Sequence, residues 1–164
     1  MRKFLLISII LLSIFKMNAQ NNSVTESGMT LLSLGAGAPI TGIPFEITAT
    51  YGIWDDVFDV ENLHFTLENL VSFKLLAPST SNFLTIGAGA SIYYTVMDDF
   101  DVFAGFIGGY GMGAPSSYDL FFRNSFDYFI NVGARYSFAD FVGVYARASY
   151  SSFSFLTAGI YFKF

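Results

Sequence analysis

Residues 128–150 read YFINVGARYSFADFVGVYARASY, and this stretch decides the fold. It contains two runs of alternating residues on either side of a short turn at Ala139 and Asp140. The apolar face of the first run consists of Tyr128, Ile130, Val132, Ala134, Tyr136 and Phe138. The opposite face carries Asn131, Gly133, Arg135 and Ser137. Alternation with a period of two is typical of a strand whose faces meet different surroundings, so the stretch predicts a β-hairpin.

The same alternation recurs along the chain and predicts eight strands. Their bounds are Leu31–Ala38, Pro44–Ile53, Val60–Leu75, Phe83–Val96, Phe100–Gly113, Phe126–Phe138, Phe141–Tyr150 and Ser154–Phe164. Five of these strands have an apolar face without any charged residue. A charge that faces lipid at mid-strand would cost about 2–4 kcal/mol, so its absence favours lipid on that side. In the third strand the alternation slips near Asn62, which indicates a bulge or a longer turn.

Short acidic turns alternate with longer segments rich in Gly, Pro, Ser or Asn, and this is the layout of outer-membrane barrels. The turns lie at Asp55-Asp56, Asp98-Asp99 and Asp140. The chain is apolar, with a mean hydropathy of +0.51 and 13% charged residues. Past its first twenty residues, however, no apolar run reaches the ~20 residues of a spanning helix. Because only helices and closed sheets satisfy the backbone in hydrocarbon, the sequence predicts an all-β fold, an eight-stranded antiparallel up-and-down transmembrane β-barrel.

The N-terminal residues have the pattern of a secretory signal peptide. Arg2 and Lys3 precede an apolar stretch at 4–15, and Asn18-Ala19-Gln20 offers a cleavage point after Ala19. We therefore predict a signal peptide at 1–19 and a barrel domain at 20–164, with an uncleaved anchor as the alternative. The mature chain would keep five basic and thirteen acidic residues, a formal charge of −8. This charge argues against nucleic acid as a partner.

Three charged residues point into the predicted barrel. On the alternation pattern Glu46, Arg135 and Arg147 share the inward face. Eight strands enclose a lumen just wide enough for side chains to fill, so an open pore is not expected. A buried guanidinium requires a carboxylate, and this favours an ion pair between Glu46 and Arg147 with Arg135 nearby. The alternative is that each charge is solvated separately by lumen water.

The C-terminal half resembles a known class of small barrels. The residues that carry the resemblance are the stretch from Val132 to Asp140, Gly143-Val144-Tyr145-Ala146 and Gly159-Ile160-Tyr161-Phe162-Lys163-Phe164. They are similar to barrels of the OmpX/opacity-like class, particularly those of Bacteroidota. The resemblance implies the bacterial outer membrane as location, its lipid as surroundings, and a role in adhesion, host interaction or envelope support. Ile160, Phe162 and Phe164 look like the signal that the barrel assembly machinery recognises.

Residues that could carry chemistry are few. The chain has no Cys and a single histidine, His64. Glu68 shares the face of His64 but lies too far along the strand for a direct hydrogen bond. One hypothesis is a lipid A-modifying barrel enzyme, a deacylase or an acyltransferase, centred on His64. The other is that His64 is a solitary polar residue and the protein is not an enzyme.

The sequence predicts no cofactor and no metal. Asp98, Asp99 and Asp101 lack the Gly and bidentate Glu of a dedicated Ca²⁺ loop, so we interpret them as a solvated turn. Residues 116–124 form the aromatic segment best suited to an extracellular partner, whose identity stays open. The candidate contact residues are Tyr118, Phe121, Phe122 and Arg123. The function predicted from the sequence is therefore a non-enzymatic outer-membrane barrel with an envelope-structural or adhesion role through its loops.

Overall fold

Eight antiparallel strands form a closed barrel in a computed structural model, which describes residues 26–39, 43–75, 83–113, 125–150 and 154–164. The strands are β1 Thr30–Pro39, β2 Ile43–Trp54, β3 Leu63–Leu75, β4 Phe83–Met97, β5 Phe100–Gly113, β6 Ser125–Ala139, β7 Val142–Tyr150 and β8 Ser154–Lys163. Each strand pairs with its neighbours in the sequence, and β1 pairs with β8. The predicted fold class and strand order are confirmed. Within the described residues no helix is long and apolar enough to cross a membrane.

Backbone hydrogen bonds between the two ends of the sheet close the barrel. Thr30 N–H donates to the carbonyl of Phe164 at 3.1 Å, and Phe164 N–H donates to the carbonyl of Thr30 at 2.9 Å. Further up the seam, Leu34 lies opposite Ile160. All eight strands therefore have two hydrogen-bonded neighbours, and the sheet has no edge from which it could unzip.

The turn between β2 and β3 differs from the prediction. The predicted third strand begins at Val60, but β3 begins at Leu63, and a 3-10 helix occupies Val57–Asp59. The backbone is left-handed at Asp56, Phe58, Asp59 and Asn62. Such residues cannot continue a strand, so the slip near Asn62 is a longer turn. The register irregularity lies instead on β2, between Gly52 and Trp54.

Side chains alternate between the two faces of the wall. The outer face carries exposed apolar residues on every strand, whereas the inner face carries glycines, hydroxyls, aromatic rings and buried charges. Five aromatic residues near the turns are exposed: Tyr51, Trp54, Tyr94, Tyr136 and Phe138. Aromatic rings at this level are typical of a lipid headgroup boundary. The outer surface thus fits a hydrocarbon environment.

The two ends of the barrel are different. We call one the turn end, because it contains the turns at 55–62, 98–99 and 140–141 together with residues 26–29 and Phe164. The opposite end, which we call the loop end, is where the strands lead to 40–42, 76–82, 114–124 and 151–153. In outer-membrane barrels the short turns are periplasmic and the longer loops are extracellular.

Inward glycines make room for aromatic rings that cross the lumen. A Cβ atom at Gly35 would collide with the Tyr145 hydroxyl, and one at Gly133 would collide with the Phe103 ring. A larger residue at either position would displace a ring from the interior. The sequence pattern of small residues facing larger inward groups therefore reflects the packing of a filled lumen.

Candidate functional site: the charged lumen and its turn end

The lumen buries seven ionisable side chains of the described residues besides its tyrosines. They are Glu46, His64, Glu68, Asp101, Arg135, Arg147 and Lys163, and none is more than 9% exposed. Three are carboxylates, three are cations and one is an imidazole. Burying a charge is costly unless an opposite charge or hydrogen bonds compensate it. The near balance of the set indicates that these groups stabilise one another.

The structure brings Glu46 and Arg147 together across the lumen. Arg147 Nη2 donates to Glu46 Oε2 in an ion pair, and both side chains are about 5% exposed. The second carboxylate oxygen of Glu46 accepts a hydrogen bond from the Tyr145 hydroxyl at 3.0 Å. Strand β2 supplies the carboxylate and strand β7 supplies both donors, so the pair links opposite parts of the wall.

Arg135 is not joined to this ion pair. Its guanidinium lies 4.5 Å from the centroid of the Tyr93 ring, with Phe103 and Tyr161 at 5.3 and 5.7 Å. Its Nη2 donates to the Thr50 hydroxyl at 3.2 Å. Attraction between a cation and aromatic faces thus replaces a carboxylate contact at this position. The sequence indicated that Arg135 points inward, but it did not indicate these partners.

Glu68 is the lumen carboxylate that sequence reasoning considered only as a partner of His64. It accepts a hydrogen bond from the Tyr93 hydroxyl at 2.7 Å and is 1% exposed. Tyr93 therefore contacts Arg135 with its ring and Glu68 with its hydroxyl. The inward position of Glu68 on β3 is the signal that could have placed this residue in the lumen network.

His64 belongs to a chain of polar groups at the turn end. His64 Nδ1 lies 2.8 Å from Asp55 Oδ1, and His64 Nε2 lies 3.2 Å from the Thr95 hydroxyl. Thr95 in turn donates to Asp101 at 2.9 Å. His64 is thus not a solitary polar residue, and its partners are an aspartate and a threonine. The contact with Asp55 lies within the β2–β3 hairpin, and the contact with Thr95 joins this hairpin to the β4–β5 hairpin.

Asp101 departs from the prediction of a solvated turn. Asp98 and Asp99 are exposed, but Asp101 is completely buried on the inner face of β5. It follows Phe100 in the strand, so alternation turns it inward. Within the described residues no group of three or more His, Asp or Glu side chains could hold a metal ion.

Among the described residues, two apolar clusters lie in the interior beside the charged groups. One consists of Leu70, Ile107 and Phe129, and the other of Leu31, Tyr145 and Tyr161. All six side chains are buried. These six side chains and the Glu46–Arg147 pair are therefore all shielded from solvent inside the barrel.

The remaining predicted site residues lie at the C-terminus or outside the described part of the chain. Ile160 is exposed on the outer face, and Phe162 and Phe164 are half-buried on the same face. The signal peptide at 1–19 and the candidate contact residues lie outside the described residues. The candidate contact residues in question are Tyr118, Phe121, Phe122 and Arg123.

Comparisons with known proteins found matches among solved structures but not among sequences. No family model and no curated protein sequence matches the chain. The outer-membrane protein Ail of Yersinia pestis matches with a TM-score of 0.53 and 13% identity, over 84% of this chain and 100% of Ail. Neisserial surface protein A matches with a TM-score of 0.51 and 18% identity, over 84% and 98%. The outer-membrane enzyme PagL matches with a TM-score of 0.51 and 15% identity, over 81% and 97%.

These matches establish the class of fold. The chain is similar to small eight-stranded barrels of bacterial outer membranes, and its apolar exterior fits the same location. Because the set includes both an enzyme and surface proteins, the fold does not decide between them. The likeness to barrels of Bacteroidota stays a prediction.

Proposed function

We propose that the protein is a non-enzymatic barrel of the bacterial outer membrane that binds an extracellular partner at its loop end. The observation that carries the proposal is the filled lumen, in which paired charges and apolar clusters occupy the interior. The lumen side chains are buried and the outer wall is apolar, so a partner outside the cell would bind at the loop end, which is extracellular in outer-membrane barrels. An envelope-structural role is the alternative within the same class. The structural neighbour Ail is described as an attachment invasion locus protein, which supports the choice of adhesion.

The placement of His64 argues against a lipid A-modifying enzyme. His64 is buried inside the barrel at the turn end, whereas the longer loops of such barrels face the outside. Its ring contacts Asp55 and Thr95, and the described contacts include no serine. The likeness to PagL is the observation that keeps the enzymatic alternative under test.

Cell adhesion by bacteria that express the protein would test the main proposal. A variant in which Tyr118, Phe121, Phe122 and Arg123 are all alanine should lose adhesion while its abundance in the outer membrane is unchanged. Phe58→Ala is the matched control, because Phe58 is an aromatic residue exposed at the opposite end. Adhesion that survives the fourfold change would refute a role for this loop.

Mass spectrometry of lipid A would test the alternative. Cells with the protein, without it, and with His64→Ala should give identical lipid A if the protein is not an enzyme. A lost acyl chain that depends on His64 would overturn the proposal.

We also propose that the assembly machinery recognises the C-terminal residues Ile160, Phe162 and Phe164. Neither of the two tests changes these residues.

A further inference from the structure

One polar side chain interrupts the apolar outer wall. Asn69 lies on strand β3 between the inward residues Glu68 and Leu70, and it is exposed on the outer face. Away from the strand ends, it is the one outward side chain among the described residues that is neither apolar nor aromatic. No described residue forms a hydrogen bond with its carboxamide. The wall therefore presents an unpaired amide to the lipid.

Asn69 lies near the middle of the bilayer. It is the seventh of the 13 residues of β3, six residues from either end. At a rise of about 3.3 Å per residue and a tilt of about 40°, this distance is about 15 Å along the barrel axis. The apolar band of an outer-membrane barrel is about 25 Å tall. A side chain as short as that of asparagine does not reach either headgroup region from this depth, so its amide stays in hydrocarbon.

An amide in hydrocarbon is unfavourable unless hydrogen bonds compensate it. The core of the bilayer holds no water, and lipid chains have neither donors nor acceptors. Polar residues at this depth hydrogen-bond across the contacts between membrane segments. The amide of Asn69 therefore requires a polar group of another membrane protein.

Small residues flank Asn69 and leave a shallow groove in the wall. Ala49 lies opposite Asn69 on β2, Ala88 lies opposite it on β4, and Gly108 follows opposite Ala88 on β5. We call these four positions the Asn69 row. Because its members are small, a second backbone can approach closely enough to reach so short a side chain.

The rows on both sides of the Asn69 row carry larger side chains, so the groove has two raised borders. Toward the turn end they are Tyr51, Leu67 and Phe106, and toward the loop end they are Val71, Ile86 and Tyr110.

Another part of the wall has the same small residues without an amide. Its alanines lie opposite one another on four adjacent strands, and we call them the alanine row: Ala36, Ala158, Ala146 and Ala134. Small side chains are thus common on this barrel and by themselves indicate no contact. The amide distinguishes the Asn69 row, and the alanine row provides a matched control surface on other strands.

A second copy of the same chain supplies the chemistry that Asn69 requires. A carboxamide has two N–H donors and a carbonyl acceptor, so two Asn69 side chains that meet at a two-fold axis donate to each other. An axis parallel to the membrane normal keeps both barrels in the same orientation in the membrane. Within the described residues, the outer wall between the two ends carries no charged side chain that would repel the second copy.

We propose that the protein forms a dimer in the outer membrane through the Asn69 row, with the two Asn69 amides hydrogen-bonded to each other at the two-fold axis. This interface lies within the wall and does not depend on the function proposed for the loop end. The loop ends of both copies face the same side of the membrane.

Energy transfer between labelled copies in lipid vesicles tests the dimer. The chain has no cysteine, so Asp98→Cys at the exposed turn gives a single site for a donor or an acceptor dye. Transfer should rise with the protein-to-lipid ratio and yield a dissociation constant. Asn69→Leu should raise this constant about tenfold, from the strength of hydrogen bonds between membrane segments. Transfer that stays at the level of random encounters at every ratio would overturn the proposal.

Two substitutions of equal size separate the Asn69 row from the rest of the wall. Ala88→Leu fills the groove beside Asn69 and should weaken the dimer, whereas Ala146→Leu in the alanine row should leave the dissociation constant unchanged. Equal effects of these two changes, or an Asn69→Leu variant that associates as tightly as the unaltered protein, would contradict the proposal. Asn69→Leu places an apolar side chain in lipid, so it should fold, and a gel shift on boiling verifies this.

Photocrosslinking in intact outer membranes identifies the molecule that covers the Asn69 row. A benzophenone side chain in place of Leu67, which borders the row, should give a crosslinked species of twice the mass of the protein. The same side chain in place of Val144, which is equally exposed beside the alanine row, should give none. A crosslinked species of any other mass at the Leu67 position would show that a different protein covers Asn69 and would refute the dimer.

Discussion

The Glu46–Arg147 pair should show a large coupling energy when its two members are changed separately and together. The perturbations are Arg147→Met, Glu46→Gln and the double variant. Met removes the charge of Arg147 and keeps a flexible apolar chain in place of the first part of the arginine side chain. Gln keeps the shape of Glu46 and its capacity to accept from Tyr145.

The expected losses follow from the contacts. In Arg147→Met the Glu46 carboxylate stays buried with Tyr145 as its remaining described donor, so the free energy of unfolding should fall by about 3–5 kcal/mol. In Glu46→Gln the guanidinium keeps a neutral acceptor, and the loss should be about 1.5–3 kcal/mol. The double variant has no buried charge at either position. Its loss should be smaller than the sum of the two single losses by about 2 kcal/mol.

Unfolding in urea from vesicles measures these values. The single tryptophan, Trp54, lies on the outer face at the turn end, so its fluorescence reports the exit of the wall from lipid. Ser33→Ala combined with Arg147→Met is the control cycle, because Ser33 is buried on the inner face outside the ion pair. Additive losses in the Glu46–Arg147 cycle would refute the coupling and favour separately hydrated charges.

Three further outcomes are expected. The protein purified from outer membranes should begin at Gln20, and an intact mass that includes Met1 would contradict export with cleavage. Its gel mobility in SDS should change on boiling because the closed sheet has no edge, and an unchanged mobility would count against closure. Deletion of Phe164 should lower the amount in the outer membrane, since it removes the residue that closes the seam with Thr30 and ends the proposed assembly signal. Unchanged membrane abundance would exclude both roles.

Alternation in the sequence predicted the fold because each strand separates lipid from a filled lumen. The same rule failed at the turn between β2 and β3. Val60 and Asn62 continue a plausible pattern, but Asp59 and Asn62 have left-handed backbones. Aspartate and asparagine tolerate the left-handed conformation, but their presence in a sequence does not require it. The residue at which such a strand begins depends on the local backbone conformation, which the pattern of apolar residues does not determine.

The partners within the lumen were harder to predict than the faces. Alternation turns Glu46, Glu68, Arg135 and Arg147 inward, but the tilt of the strands decides which of them meet across the barrel. The two inward arginines have similar neighbours in the sequence, but their contacts differ. Arg147 pairs with a carboxylate, and Arg135 packs against three aromatic rings. The Arg135 site shows why charge counting alone misassigns such networks. Aromatic faces stabilise the charge of a guanidinium but accept few of its N–H groups, and Arg135 Nε and Nη1 are buried without a hydrogen-bond partner among the described residues. Glu68 accepts its described hydrogen bond from the Tyr93 hydroxyl instead.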